Sequence, residues 1–221
     1  MLINTGGGVA SGDRFATDVE VGPGARLVLT NVAAEKVYRS EGAVATVTTR
    51  IRVAEGGLLE WLPQETILFD RSRLRRHLEV DVAAGGSAIL FDAVVFGRAA
   101  RGEIVTEGYL EDRWRIRRAG RLVYADTLRL SGDIAARLSH PAVAAGGRAF
   151  ATCLVLAPNA EDRLDAAREA LAGLDSECGA SGRDGLLAAR FLAQDVNTLR
   201  QDAARFLSAM RGRALPRVWN L

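Results

Sequence analysis

The acids that could do chemistry in this chain stand where acids are costly. Glu60 interrupts the apolar run LLEWL, and Asp92 interrupts AILFDAVVF. Asp126 lies in LVYADTLRL, where alternation groups it with Leu122, Tyr124, Leu128 and Leu130 on the more apolar face. A carboxylate in such a place must be paired, hydrogen-bonded, protonated or metal-bound to offset its lost hydration. Internal salt bridges to the chain's arginines are one reading. Paired acids for glycoside or lyase chemistry are another, with Asp92 and Asp126 as the pair. Acids inside strands, however, do not make the open cleft that a polysaccharide needs.

Other reactive types give less. His77 alternates outward with Arg75, Glu79 and Asp81, and His140 precedes a proline. Neither has a second histidine at ligand spacing, and the chain has no HExxH motif or cysteine cluster, so a tight metal site is not expected. Cys153 and Cys178 form no CxxC pair, and no GxSxG motif is present. The loop Gly6 to Asp13, GGGVASGD, lacks the Lys-Ser/Thr of a phosphate loop and the spacing of a dinucleotide fingerprint. On turn chemistry alone it is a tight turn between strands.

The elements that position these residues are mostly strands. Ala16–Val21 and Ala25–Leu29 flank Gly22-Pro23-Gly24. Ala43–Val53 and Leu74–Val82 alternate as half-buried strands, and Gly pairs turn them into the apolar runs Leu58–Leu62 and Ala88–Phe96. Those continuous runs predict strands covered on both faces. Three segments, VEVGPGARLVL, IRVAEGGLLEWL and VDVAAGGSAILF, share one pattern with a period of about 30 residues. Stacked β units and independent hairpins in a sandwich both fit it. A hairpin follows across Arg118-Ala119-Gly120, between Trp114–Arg117 and Leu122–Leu130.

After Pro141 the texture changes. Strands are predicted at Arg148–Ala157 and Leu186–Ala193, helices at Glu161–Leu174 and Asp195–Arg211, and an extended tail at ALPRVW. The expected fold is mainly β, solenoid-like or sandwich-like, with a small C-terminal α+β portion. Residues 1–145 form the β body and residues 146–221 a satellite packed on it. At 221 residues and a formal net charge of +2 the chain has no nucleic-acid footprint. No apolar run approaches the roughly 20 residues of a membrane span. The cysteine usage points to a reduced, cytoplasmic setting. Of 29 basic residues 28 are arginine, which offers planar forks to carboxylates.

Five stretches in order, NTGGGVASGDR, AAEKVYRS, LEWLPQETILFD, FGRAARGE and LPRVW, resemble the urease accessory protein UreD (UreH) family from Asn4 to Trp219. The resemblance implies a non-enzymatic maturation factor. It would act with the accessory proteins UreF and UreG, the latter a GTPase that brings nickel, and dock on the urease apoprotein. It implies no tightly bound cofactor, only nickel in transit along an internal passage lined by acids. The matching positions are Asp13, Asp92 and Asp126, the last standing where some relatives carry Glu. Sparse carboxylates suit a protein that releases nickel, since nickel prefers nitrogen and sulfur ligands. No role is carried onto Glu35, Glu60, Glu65 or Glu103. The resemblance also implies further strands upstream of Asn4. An edge left unpaired without them is expected to make the isolated chain poorly soluble.

Overall fold

In the computed structural model, residues 1–220 are described. Strands β1 (Arg14–Val21), β2 (Arg26–Leu29), β3 (Glu35–Val37), β4 (Ala45–Val53), β5 (Leu58–Trp61), β6 (Thr66–Leu68), β7 (Arg73–Val82) and β8 (Ser87–Phe96) come first. The hairpin β9 (Gly108–Arg118) and β10 (Arg121–Gly132) follows, then a short helix α1 (Ile134–Ser139). The remainder is β11 (Ala149–Leu156), α2 (Leu164–Leu171), β12 (Glu177–Arg183), β13 (Leu186–Ala193) and α3 (Val196–Arg211). Before residue 130 the only helical element is a single 3₁₀ turn, Ala99–Arg101.

The pairing decides between the two β readings. β1, β4 and β7 pair in parallel, and so do β2, β5 and β8. Antiparallel hairpins would have paired β1 with β2. Instead each Gly-containing turn carries the chain from one sheet to the other, and the three segments stack as solenoid rungs. Val21, Val53 and Val82 are register neighbours. The turns stack too: Ala54 N donates to Val21 O at 2.9 Å, and Ala83 N to Val53 O at 2.9 Å. Gly86 is required there, since a Cβ would come within 3.0 Å of the Ala54 carbonyl in the turn below.

The result is a five-stranded sheet, β1-β4-β7-β9-β10, facing an eight-stranded one built on β12-β13-β11-β8-β5-β2 with β3 and β6 alongside. The C-terminal strands continue the second sheet directly, because β11 pairs with β8 along eight residues. Helices α2 and α3 cover its outer face over Phe91, Ala93 and Phe191, with Phe206 of α3 packed edge-on against Phe191. This explains the unbroken apolar run of β8, which buries its odd residues under the helices and its even residues between the sheets. Asp195 caps α3 by accepting from Asn197 N at 2.8 Å and Thr198 N at 3.1 Å.

Three expectations change. β12, ECGASGR, lacks apolar alternation and gave no strand signal; it forms because β13 offers it a partner edge. The predicted helix Glu161–Leu174 begins as a 3₁₀ turn, Ala160–Arg163, before α2. The tail is not extended to its end: after Pro216 the chain turns at Arg217–Asn220. That turn buries Trp219, whose Nε1 donates to Leu62 O at 3.3 Å.

Candidate functional site

Between the sheets the apolar filling is in two parts. One cluster holds Ile51, Leu78, Leu90, Trp114 and Leu154. The other holds Ala45, Leu74, Val94, Leu110 and Leu130. Where they meet, β7, β9 and β8 each put a polar side chain in the inward phase. On β7 it is Arg76, between Leu74 and Leu78. On β9 it is Asp112, between Leu110 and Trp114. On β8 it is Asp92, between Leu90 and Val94. β11 contributes Thr152 and β13 Arg190 at the same level. Arg76 is the register partner of Asp112, Asp92 of Thr152, and Thr152 of Arg190. One polar layer therefore crosses the molecule.

The layer adjoins a cavity of about 330 Å³, lined by Asp92, Asp112, Arg76, Gln64, Asn4 and Glu35 among others. The eight-stranded sheet is interrupted here at Leu62–Glu65, between β5 and β6, where Pro63 cannot donate to a ladder. Five buried polar atoms of lining residues have no hydrogen-bond partner: Asn31 Oδ1, Trp61 Nε1, Gln64 Nε2, Arg76 Nε and His77 Nε2. Buried polar atoms are otherwise nearly always satisfied, and this cavity has the room and the polar lining to hold water. A second, more open cavity of about 660 Å³ lies toward β10 and is lined by Thr152, Asp126 and Arg190. Asp92 and its neighbour Thr152 stand between the two.

Asp92 accepts from Arg76 Nη1 at 2.8 Å, and the same nitrogen donates to Thr66 Oγ1 at 3.0 Å. Arg76 Nη2 donates to Asp112. Burial pushes the Asp92 carboxyl up to about 6; Arg76 pulls it down, and the nearby Asp112 charge adds to the rise. Burial works against the charge on Arg76, but the Asp112 and Asp92 carboxylates outweigh it and raise its pKa. Glu35 accepts from Asn4 Nδ2 at 3.0 Å on the cavity wall and is raised by burial.

The other two matched aspartates lie elsewhere. Asp126 does face the space between the sheets, but it is not buried: β10 is an edge strand, and the side chain is 36% exposed. It accepts from Arg190 Nη2 at 2.6 Å and from Tyr124 Oη at 3.2 Å. Asp13 lines neither cavity. Its Oδ2 accepts from Ala10 N at 2.8 Å and holds the Gly-rich turn. That turn needs Gly8, because a Cβ would meet the Lys36 carbonyl and the Tyr38 ring at 2.6 Å. Asp92 and Asp126, lining different cavities, do not form an acid pair across one cleft. His77, expected to point outward, is 28% exposed beside Glu111, 3.7 Å away. His140 is exposed and accepts from Ala142 N at 3.2 Å.

The unassigned acids resolve as ion pairs. Glu60, 4% exposed, meets Arg211 at 2.8 Å and Arg213 at 3.0 Å. Burial pushes its pKa up, but the bonds from Arg211 and Arg213 prevail and lower it. Glu65 meets Arg200 at 3.3 Å. Glu103 takes two bonds of 2.7 Å from Arg98, whose guanidinium also lies 4.0 Å from the Phe69 ring centre. Arg76 and Asp112 were missed by sequence reasoning, although each interrupts an apolar phase as Asp92 does.

Among the described residues no group of three or more His, Cys, Asp or Glu could hold a metal ion, and no helix is long and apolar enough to cross a membrane. The fold and site define a layered β protein with an acid-lined internal cavity and, among the described residues, no closed metal centre. A family model, UreD urease accessory protein, matches residues 1–220. The chain is 52% identical to a urease accessory protein UreD of Azorhizobium caulinodans, covering all of this chain and 82% of the relative. It is 52% identical to one of Xanthobacter autotrophicus, over 99% of this chain and 76% of the relative. A UreD 3 of Methylorubrum extorquens is 54% identical over 99% of this chain and 74% of its own length. The chain belongs to the UreD family of urease accessory proteins, which implies a role in urease maturation.

Proposed function

We propose that the protein is a non-enzymatic scaffold that docks on apo-urease in the cytoplasm together with UreF and UreG and conducts nickel through its interior. The observation that carries this reading is the polar layer in an otherwise apolar core: its carboxylates Asp92 and Asp112 line one cavity, and Thr152, the register partner of Asp92, lines the other. Water in the layer keeps a divalent cation partly hydrated, and a carboxylate replaces some of that shell without holding the ion. Asp126 offers a second oxygen ligand at the far cavity, and Asp13 keeps its loop in shape. GTP hydrolysis belongs to the partner, since the Gly-rich loop of this chain lacks the phosphate-binding pattern.

The test uses the purified complex of this protein with UreF, UreG and apo-urease. Asp92→Asn is expected to assemble normally and to lower urease activation by nickel severalfold. Asp126→Asn is expected to do the same more weakly, because its side chain is partly in solvent. Normal assembly with normal activation in both variants refutes conduction through this layer.

A further inference from the structure

We infer that Arg76 is a resident substitute for the travelling cation. Its guanidinium holds Asp92 and Asp112 together across the two sheets, and a divalent metal ion takes its place when it swings aside. Asp92, Asp112 and the Thr66 hydroxyl are then a transient oxygen site gated by Arg76. This inference rests on the passage reading and adds a ligand, Asp112, and a gate to it.

Two acids, Asp92 and Asp112, share one guanidinium in a buried place, so acid outnumbers base there. Asp112 is 6% exposed and Arg76 9%. A divalent ion in the guanidinium's position cancels both carboxylates, so the exchange is electrostatically favourable at the site. The two acids then draw in around the ion, since a metal–oxygen bond of about 2.0–2.2 Å is shorter than the 2.8 Å bond that Asp92 takes from Arg76.

The second argument is that Arg76 is held at its tip only. Its Nη1 and Nη2 are bonded to Thr66, Asp92 and Asp112, while Nε is buried without a partner. The cavity of about 330 Å³ gives the side chain somewhere to go; at about 30 Å³ per water it has room for several waters as well.

The third observation is Gln64. It is 3% exposed, lines the same cavity, and its amide nitrogen has no partner. Rotation of that amide presents either an N–H to water or the oxygen to a cation. The donor set is all oxygen and has few members, which gives weak binding of nickel and ready release.

The experiment is calorimetric titration of the purified full chain with Ni²⁺ alone, needing no urease. Arg76→Met removes the charge and keeps most of the volume. It is expected to bind one Ni²⁺ at least tenfold more tightly than the unsubstituted chain. Arg76→Met combined with Asp112→Asn is expected to lose that gain. A folded Arg76→Met chain with no gain in affinity overturns the inference, as does a gain that survives Asp112→Asn. If Arg76→Met melts at a much lower temperature, millimolar Ni²⁺ is expected to restore the transition, and no restoration is equally fatal. The passage reading is judged separately, by urease activation with Asp92→Asn, so a failure of the gate is distinguishable from a failure of the passage.

Discussion

Glu111 and Asp112 are neighbours on β9 and face opposite ways. Asp112 points into the polar layer and Glu111 onto the outer face of the five-stranded sheet. Outside, Glu111 gathers Arg129, Arg75 at 3.3 Å and the Tyr109 hydroxyl at 2.9 Å, and the bond from Arg129 leads in holding its carboxyl down at about 2. Inside, the same strand and its neighbours set two acids against one arginine, and burial holds Asp92 up at about 6. The outer face has ample countercharge and water nearby; the inner layer has a deficit of countercharge and restricted water. An arrangement that served stability alone would match charge inside at least as well as outside. The deficit sits instead beside the cavity, where a mobile cation can make it up.

The sharpest break in the comparison is a buried acid that is fully matched. Glu60 is as buried as Asp112 but has two arginines, and it ties the end of α3 to β5. Glu60→Ala strands Arg211, whose side chain is 3% exposed, without its carboxylate. We expect a loss of about 3–5 kcal/mol and a fall in melting temperature of roughly 10 °C. A loss below about 1 kcal/mol would show that water reaches this pair and that burial is not what distinguishes inside from outside.

Glu111 gives an intermediate effect with a definite pH signature. Its folded pKa lies below its ordinary value, so it contributes stability above the unfolded pKa, and that contribution fades as pH falls toward about 2. Glu111→Gln is expected to cost about 1–2 kcal/mol at pH 7, less than the shift alone suggests because Arg129 is well exposed. The gap to the unsubstituted chain should narrow steadily between pH 5 and pH 2.5 in urea titrations. A gap that is the same at both ends means that packing of Tyr109, not charge, holds this site.

How much of this was legible follows from what each signal depends on. Val21, Val53 and Val82 revealed the repeat because alternation and glycine turns are local. Whether the repeats stack in parallel or fold as hairpins was not legible, because both give the same alternation and only register separates them. Asp92 stood out because its strand is apolar on both sides. Arg76 and Asp112 broke an apolar phase equally, between Leu74 and Leu78 and between Leu110 and Trp114. Their outward neighbours Arg75, His77, Glu111 and Arg113 are polar or charged too, so they read as parts of a polar run. The face of Asp126 was readable and its exposure was not, since no local pattern says that β10 is a sheet edge.

The smallest effect belongs to the outer ladder, where the comparison is sharpened by how little should happen. Glu20, Arg52, Asp81 and Arg117 are register neighbours across β1, β4, β7 and β9, with alternating sign. Arg52 and Glu20 meet at 3.2 Å, but their side chains are 78% and 76% exposed. Water competes for both, so Arg52→Ala is expected to cost no more than about 0.5 kcal/mol. Nor does it bring like charges together: Glu20 and Asp81 remain two strand spacings apart, about 10 Å, which is near the screening length at 0.1 M salt. Arg52→Glu is different. It sets three acids on adjacent strands about 5 Å apart, and should cost up to about 1 kcal/mol at each like-charge contact. Raising the salt to about 1 M shortens the screening length to about 3 Å and should recover most of that loss. Urea midpoints for both variants at low and high salt measure this directly. If Arg52→Ala alone costs more than about 1 kcal/mol, or if salt does not rescue Arg52→Glu, the outer ladder is a structural element in its own right, and the contrast with the buried layer must be redrawn.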